Sequence, residues 1–449
     1  MNLAQILALA IFIAMFALVV WDRIPKYVVT LGCGLIVLVL VFGIVMHSPE
    51  AIWDTLNIKS IGTVGFWYAS GESESVGVDW ATIFFLGGMM VMVEGMAMAG
   101  VFRWLCLLLA KMVHYKTIPL FITFMLLSAV MAMFIDSITV ILFLAAVTFE
   151  LARLLKFNPL PMLMSEIFCA NLGGSATMCG DPPNIIIGSQ FGYSFVDFLT
   201  NTGLCALVSL ALMIIFFLLA YRKQLKTPAE TDLKKMPSPR SAIKDKRDFI
   251  VSSLIFVIAI ALLITHSITH LTVAFIGIVV TLLTVCYFGK RLKLVMRGVD
   301  YRTLLFFVGL FIVVGGLEQT GVLKIIADLI AGICKGSSIA MVAVIIWVSA
   351  IASAFVDNIP FAATMVPIIR ALAASTGVPV STLAWTLAMG TDVGGSATPI
   401  GASANVVGIS VAGKNGYRVT WGEYCKTAAP AMVITIGISM LIIILRYCL

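Results

Sequence analysis

The stretch "NLGGSATMCGDPPNII" (Asn171–Ile186) lies inside a chain that is otherwise mostly apolar. Glycine and proline are poor material for a membrane helix, because one loosens the backbone and the other removes a donor. The pattern recurs: "GGSATPIGASAN" (Gly394–Asn405) matches "GGSATMCGDPPN" (Gly173–Asn184) at seven of twelve positions. The two copies are 221 residues apart, and that one shift holds over about 110 residues without a net gap. It places Val78-Asp79-Trp80 on Val299-Asp300-Tyr301, and Gly88 on Gly309. It also places "FIDSI" (Phe134–Ile138) on "FVDNI" (Phe355–Ile359), so Asp136 meets Asp357. The chain is an internal duplication.

Composition sets the solvent. Of 449 residues, 61% are hydrophobic and 11% charged, too little charge to cover a water-soluble protein of this size. Uncharged apolar runs such as Leu3–Trp21, Tyr27–Met46 and Leu204–Tyr221 are long enough to cross a bilayer as helices. The expected class is an all-α polytopic membrane protein with about ten transmembrane helices. "MNLAQ" has no basic segment ahead of its apolar run, unlike a cleaved signal peptide. The nine cysteines form no metal or redox spacing and read as small buried residues. The net charge of +7 flanks apolar spans and marks orientation rather than nucleic-acid binding.

Lys and Arg accumulate on the cytoplasmic side. Arg23 and Lys26 then lie inside, and the acidic Pro49–Asp79 segment, with Glu50, Asp54, Glu72 and Glu74, lies outside. Arg103, Lys111 and Lys116 lie inside, and so do Arg153 and Lys156. The apolar stretch between these groups, interrupted at Asp136, therefore reads as a re-entrant hairpin over 118–155. A broken helix over 159–190 and a further span lead to linker 222–248, which carries nine Lys or Arg against four acids and is expected to be cytoplasmic. Five crossings per half is an odd number, so the second half is expected upside down. The expected plan is a first repeat over 1–221 and a second over 249–449, with hairpin 338–373 and broken helix 380–411. Both termini are expected outside. Inverted repeats are a recurrent plan of secondary transporters.

Irregular backbone at membrane depth survives only where protein or a water-filled cavity satisfies it. One helix is expected to end near Asn171 and the next to begin near Pro182. Such a break frees carbonyls for a cation and N–H groups for an anion. Gly173 and Gly394 open the backbone; Ser175, Thr177, Ser396 and Thr398 add hydroxyls; Asn171, Asn184 and Asn405 add amides; Asp181 and Asp392 add carboxylates. The hairpin tips bring Asp136 and Ser137, and Asp357 and Asn358, as the opposite wall. Intramembrane acids are functional candidates by default. Their bland alternative is helix N-capping, which stays open for all four and is strongest for Asp181 before Pro-Pro. Asp392 has no acidic twin; Asn171 stands opposite it.

Glu94 and Glu166 read either as proton carriers or as hydrogen-bonded acids, and His266 and His270 as residues of an outer turn. Cys179, opposite Ile400, offers a thiol that could touch arsenic(III), or is a buried apolar residue. No GxxxxGK[ST] loop is present, so the chain alone is no ATP-driven pump. HExxH is absent, and Met178-Cys179-Gly180-Asp181 lacks the first glycine of the aspartyl-protease motif, so an enzyme is not expected. A channel would not need paired breaks from opposite sides. The leading expectation is a carrier of a small inorganic ion or oxyanion, such as arsenite, driven by protons or sodium; sodium/proton antiport is second, and sodium-coupled symport of a carboxylate or other anion is a further alternative.

"ANLGGSATMCGDPPNIIIGS", "FIDSITVILFLAAV", "FVDNIPFAATMVPII" and "GTDVGGSATPIGASANVVGISVAGKNGY" together resemble the arsenite-pump/NhaD permease family (ArsB/NhaD) of the ion transporter superfamily, in the branch of the melanosomal P protein. More distantly the chain is similar to divalent-anion/sodium symporters. The resemblance implies a rigid scaffold, a moving transport domain, elevator-like alternating access, a homodimer, no resident cofactor, and for some members a separate ATPase subunit. It implies one ion site at Asp136, Ser137, Asn171, Ser175 and Thr177, with Na⁺ at Asp136/Ser175. It implies another at Asp357, Asn358, Asp392, Ser396 and Thr398, with Na⁺ at Asp357/Ser396. The tips depart from the symporters' Ser-Asn-Thr: they read Asp-Ser-Ile-Thr and Asp-Asn-Ile-Pro. Two carboxylates there repel a dicarboxylate unless they are protonated or cation-paired.

Overall fold

The computed structural model describes residues 1–21, 23–68, 77–225 and 236–449. Asp22, Glu72, Glu74 and linker residues 226–235 lie outside them. In the first half the helices are α1 (Leu3–Trp21), α2 (Lys26–Ile36), α3 (Pro49–Leu56), α4 (Val64–Trp67), α5 (Trp80–Ala99), α6 (Val101–Met112), α7 (Thr117–Ala132), α8 (Ser137–Leu155), α9 (Leu160–Gly174), α10 (Pro182–Phe191), α11 (Phe195–Ala220) and α12 (Arg222–Leu225). In the second half they are α13 (Lys246–Thr269), α14 (Val273–Phe288), α15 (Leu292–Gly298), α16 (Tyr301–Gln319), α17 (Val322–Cys334), α18 (Ser338–Phe355), α19 (Asn358–Thr376), α20 (Val380–Gly394), α21 (Ser403–Lys414) and α22 (Trp421–Tyr447). Among the described residues, ten helices are long and apolar enough to cross a membrane. They include the hairpin arms α8, α18 and α19.

Each interruption has a local cause. Asp136 ends the turn after α7 and caps α8 by accepting from the Thr139 N–H at 2.9 Å. Its twin Asp357 caps α19 through the Ile359 N–H. The first broken helix runs to Gly174, beyond the expected Asn171, and resumes at Pro182, where proline fits a first helical turn. Asn184 closes that gap by donating to the carbonyls of Gly174 at 3.1 Å and Thr177 at 3.0 Å. Asn405 does the same to Gly395 and Thr398, both at 2.8 Å. Thr177 donates to the Met133 carbonyl and Thr398 to the Ala354 carbonyl, which ties each break to its own hairpin.

Packing repeats with the sequence. α7 lies on α9 as α18 lies on α20, and α2 crosses to α16 as α14 crosses to α5. Exchanging the two halves maps each of these pairs onto its partner. Glycines carry the close approaches: a Cβ on Gly88 would stand 2.2 Å from the Gly277 carbonyl, and one on Gly309 2.4 Å from the backbone of Thr30. Such backbone-to-backbone contact is what small residues provide between membrane helices.

Some features escaped the hydropathy reading. The short amphipathic helices α6 and α17, at twin positions, link each core span to its hairpin. α2 continues as a π-helix over Val37–Val45. α11 begins at Phe195, ahead of the apolar run, because Ser194 and Asp197 form a capping box. In the linker, Pro239–Ala242 forms a 3₁₀ turn, and Ala242 is buried against α6 and Gly100.

Candidate functional site

Four helix N-termini converge on one cavity. It is lined by Asp136 and Asp357, which cap α8 and α19, and by Pro182 and Ser403, which begin α10 and α21. Its volume is about 420 Å³. The wall opposite the tips comes from α2, α5 and the α15–α16 turn, with Lys26, Glu94, Asp300 and Arg302. Helix N-termini carry partial positive charge and unpaired N–H groups, so their meeting favours a negative ligand. The four ends are not equivalent. Asp136 and Asp357 occupy two of them, and α10 opens with prolines, which have no N–H. α21 starts with no side-chain cap, and its Ser403 faces the cavity.

The charges around the cavity do not balance. Lys26 Nζ lies 2.8 Å from Asp357 Oδ2, joining α2 to the second hairpin tip. Asp136 uses both oxygens on Thr139. Four acids against two bases leave the rim acidic, so an anion needs accompanying cations or protons. Cys179 also lines the cavity.

Between the two breaks the polar groups pair across the halves. Asp181 does not cap α10. Its carboxylate accepts from Ser137 Oγ at 3.1 Å and from Asn358 Nδ2 at 2.8 Å, so one buried acid joins both hairpin tips. Asn171 donates across to Ser396 Oγ at 3.0 Å and Asn405 Oδ1 at 2.9 Å. The residues of the two implied ion sites therefore mix. No hydrogen bond joins Asp136 to Ser175, whose hydroxyl donates to the Leu172 carbonyl. Thr177 and Thr398 face hairpin carbonyls, and Gly173 and Gly394 lie against Ala129 and Ala350. Asp392 is fully buried, with no donor to either oxygen. Among the described residues no group of three His, Cys, Asp or Glu side chains is placed to hold a metal ion.

Glu94 faces the cavity. Glu166 is buried in α9 and accepts from Thr148 Oγ1 at 2.6 Å. His266 accepts from the Phe195 N–H and borders a second cavity of about 860 Å³, with Asp79 and Ser189. The two cavities meet opposite ends of α10: Pro182 in one, Gly188 to Gly192 in the other. Lys26, Arg302 and Ser403 were not singled out from sequence. Lys26 reads as an orientation charge, Arg302 is in sequence one of the basic residues (Lys290, Arg291, Lys293, Arg297, Arg302) expected inside in the second half, and Ser403 gave no signal beyond its place two residues before Asn405.

Comparison with known proteins gives the setting. A family model described as "Citrate transporter" (CitMHS) matches residues 16–390. An uncharacterized transporter of Mycobacterium tuberculosis is 32% identical over 446 residues, covering 99% of both chains. The 46 kDa membrane protein of Mycobacterium leprae is 31% identical, again covering 99% of both. The human P protein is 27% identical over 81% of this chain and 53% of its own length. Among solved structures, the YdaH transporter of Alcanivorax borkumensis aligns with a TM-score of 0.58 at 13% identity, covering 99% of this chain and 98% of that one. MtrF of Neisseria gonorrhoeae, described among antimetabolite efflux pumps, aligns at 0.56 and 14%, covering 95% and 96%. These two show a shared fold. The motifs pointed to the arsenite-pump/NhaD family; the family model that matches is the citrate transporter one.

Proposed function

The chain belongs to the CitMHS citrate transporter family, and from that premise we propose that it carries a small anion, a carboxylate or an oxyanion, together with protons or sodium. It is a multi-pass membrane transporter. The observation that carries the substrate class is the convergence of four helix N-termini on one cavity, with the uncapped end of α21, Lys26 and Arg302 in reach. The acid excess at the same rim supports coupling, because a bare polyanion is repelled while a protonated or cation-paired one is not.

The movement we propose is elevator-like, within two inverted repeats. The hairpins, breaks and Asp181 cluster travel as one body against the α2–α16 and α5–α14 pairs, which hold the scaffold of a homodimer. Cavities at opposite ends of α10 support this reading, since each would serve one side of the membrane. Arsenite efflux and sodium/proton antiport remain test arms, the first supported by Cys179 in the cavity wall.

The test is a panel of citrate, arsenite, chloride and sodium in proteoliposomes under imposed proton and sodium gradients. Saturable citrate or oxyanion uptake that follows a gradient and is lost in Asp181→Ala is expected. Cation exchange with no anion moving would overturn the anion reading.

A further inference from the structure

The two breaks are near copies, and Asp392 is where their chemistry parts. In the first pairing Asn171 on α9 donates Nδ2–H to Asn405 Oδ1 of the opposite break at 2.9 Å. Exchanging the halves puts Asp392 on α20 in the place of Asn171, and Asn184 in the place of Asn405. The orientation of Asn184 is not free. Both of its N–H bonds go to the carbonyls of Gly174 and Thr177, so its Oδ1 must point away from them, as that of Asn405 does. That oxygen is buried and has no donor.

Asp392 lies against the Asn184 amide, is wholly buried, and has no donor at Oδ1 or Oδ2. Exchange of the halves sets the Asp392 carboxylate toward Asn184 Oδ1 as Asn171 Nδ2 is set toward Asn405 Oδ1, in a region where buried polar groups are ordinarily paired. A single proton on Asp392 removes the buried charge and supplies the hydrogen that its twin supplies from an amide. The twin bond at 2.9 Å leaves no room for a metal cation with its own oxygen ligands.

We propose that Asp392 is the proton-carrying residue of this transporter: as the neutral acid it donates to Asn184 Oδ1 and ties the end of α20 to α10, and on losing the proton it releases that tie. The role rests on the carrier reading above. The charged groups around it are few. α10 brings Asp181 at its N-cap, the acid whose charge acts on Asp392. α18 carries no ionisable side chain, and α19 brings Arg370 and, at its cap, Asp357. α9 brings Glu166 and Cys169, α11 brings Asp197 and Cys205, and α22 brings Glu423, Tyr424, Cys425, Lys426, Arg446 and Tyr447.

The test has two readouts. Infrared difference spectra of the full-length protein in lipid vesicles, taken while pH is raised, should show a protonated-carboxyl band disappearing. Asp392→Asn should remove that band, Glu166→Gln should retain it, and Asn184→Leu should shift its frequency by removing the acceptor. In vesicles loaded with a pH dye, an imposed citrate gradient should move protons through the wild type, and the proton-to-citrate ratio should fall to zero in Asp392→Asn. A band that survives Asp392→Asn, or one that responds to sodium at fixed pH instead of to pH, overturns the assignment. A wild type that moves no citrate refutes the substrate reading alone, and the infrared result still decides Asp392.

Discussion

Replacing Gly173 by alanine tests the packing that holds the first break in place. A Cβ there would stand 2.1 Å from the Ala129 carbonyl oxygen on α7, roughly 1.3 Å short of ordinary contact. The obstacle is backbone on both sides, so α9 and α7 must separate; no side chain can swing away. Overpacking of this kind costs about 1–3 kcal/mol, offset by about 1 kcal/mol for removing a glycine from a helix. The net expectation is a loss of up to about 2 kcal/mol, read as a fall of a few degrees in melting temperature. Function should suffer more than stability, because the Thr177–Met133 hydrogen bond spans the same gap. Gly394→Ala, whose Cβ would meet Ala350 Cα at 2.4 Å, should behave alike, since Ala350 is the twin of Ala129. Gly32→Ala on α2 meets nothing within 4 Å and is the control. The assay is thermal unfolding of detergent-purified protein followed by gradient-driven uptake in proteoliposomes. Wild-type melting and uptake in both Gly173→Ala and Gly394→Ala would refute the claim that glycine contact seats the breaks.

Two more predictions concern the cavity rim and the topology. Lys26→Met leaves the largely buried carboxylate of Asp357 without its half-exposed partner and should cost about 1–3 kcal/mol; adding Asp357→Asn should restore most of the lost melting temperature, and strictly additive losses would show that the pair is not an energetic unit. A cysteine at the exposed Ser238 of the linker should react with a membrane-impermeant maleimide only from the cytoplasmic side, and labelling from outside would reverse the orientation read from the basic residues.

The sequence by itself determined the solvent, the duplication and the places where helices break. These are local properties: the length of an apolar run, a glycine cluster, a Pro-Pro step, an aspartate three residues before a threonine. Helix ends accordingly fall at Asp136, Gly174, Asp357 and Gly394, within a few residues of where the spacing puts them. Tertiary structure decided which polar groups meet. Asp181 and Asn358 are 177 residues apart, Asn171 and Asn405 are 234 apart, and Lys26 and Asp357 are 331 apart. A repeat alignment pairs each residue with its twin, whereas packing pairs it with other residues of the opposite half. That is why Asn171 reaches the second break, and why Asp392, with no acid opposite it in the alignment, lies buried against the Asn184 amide.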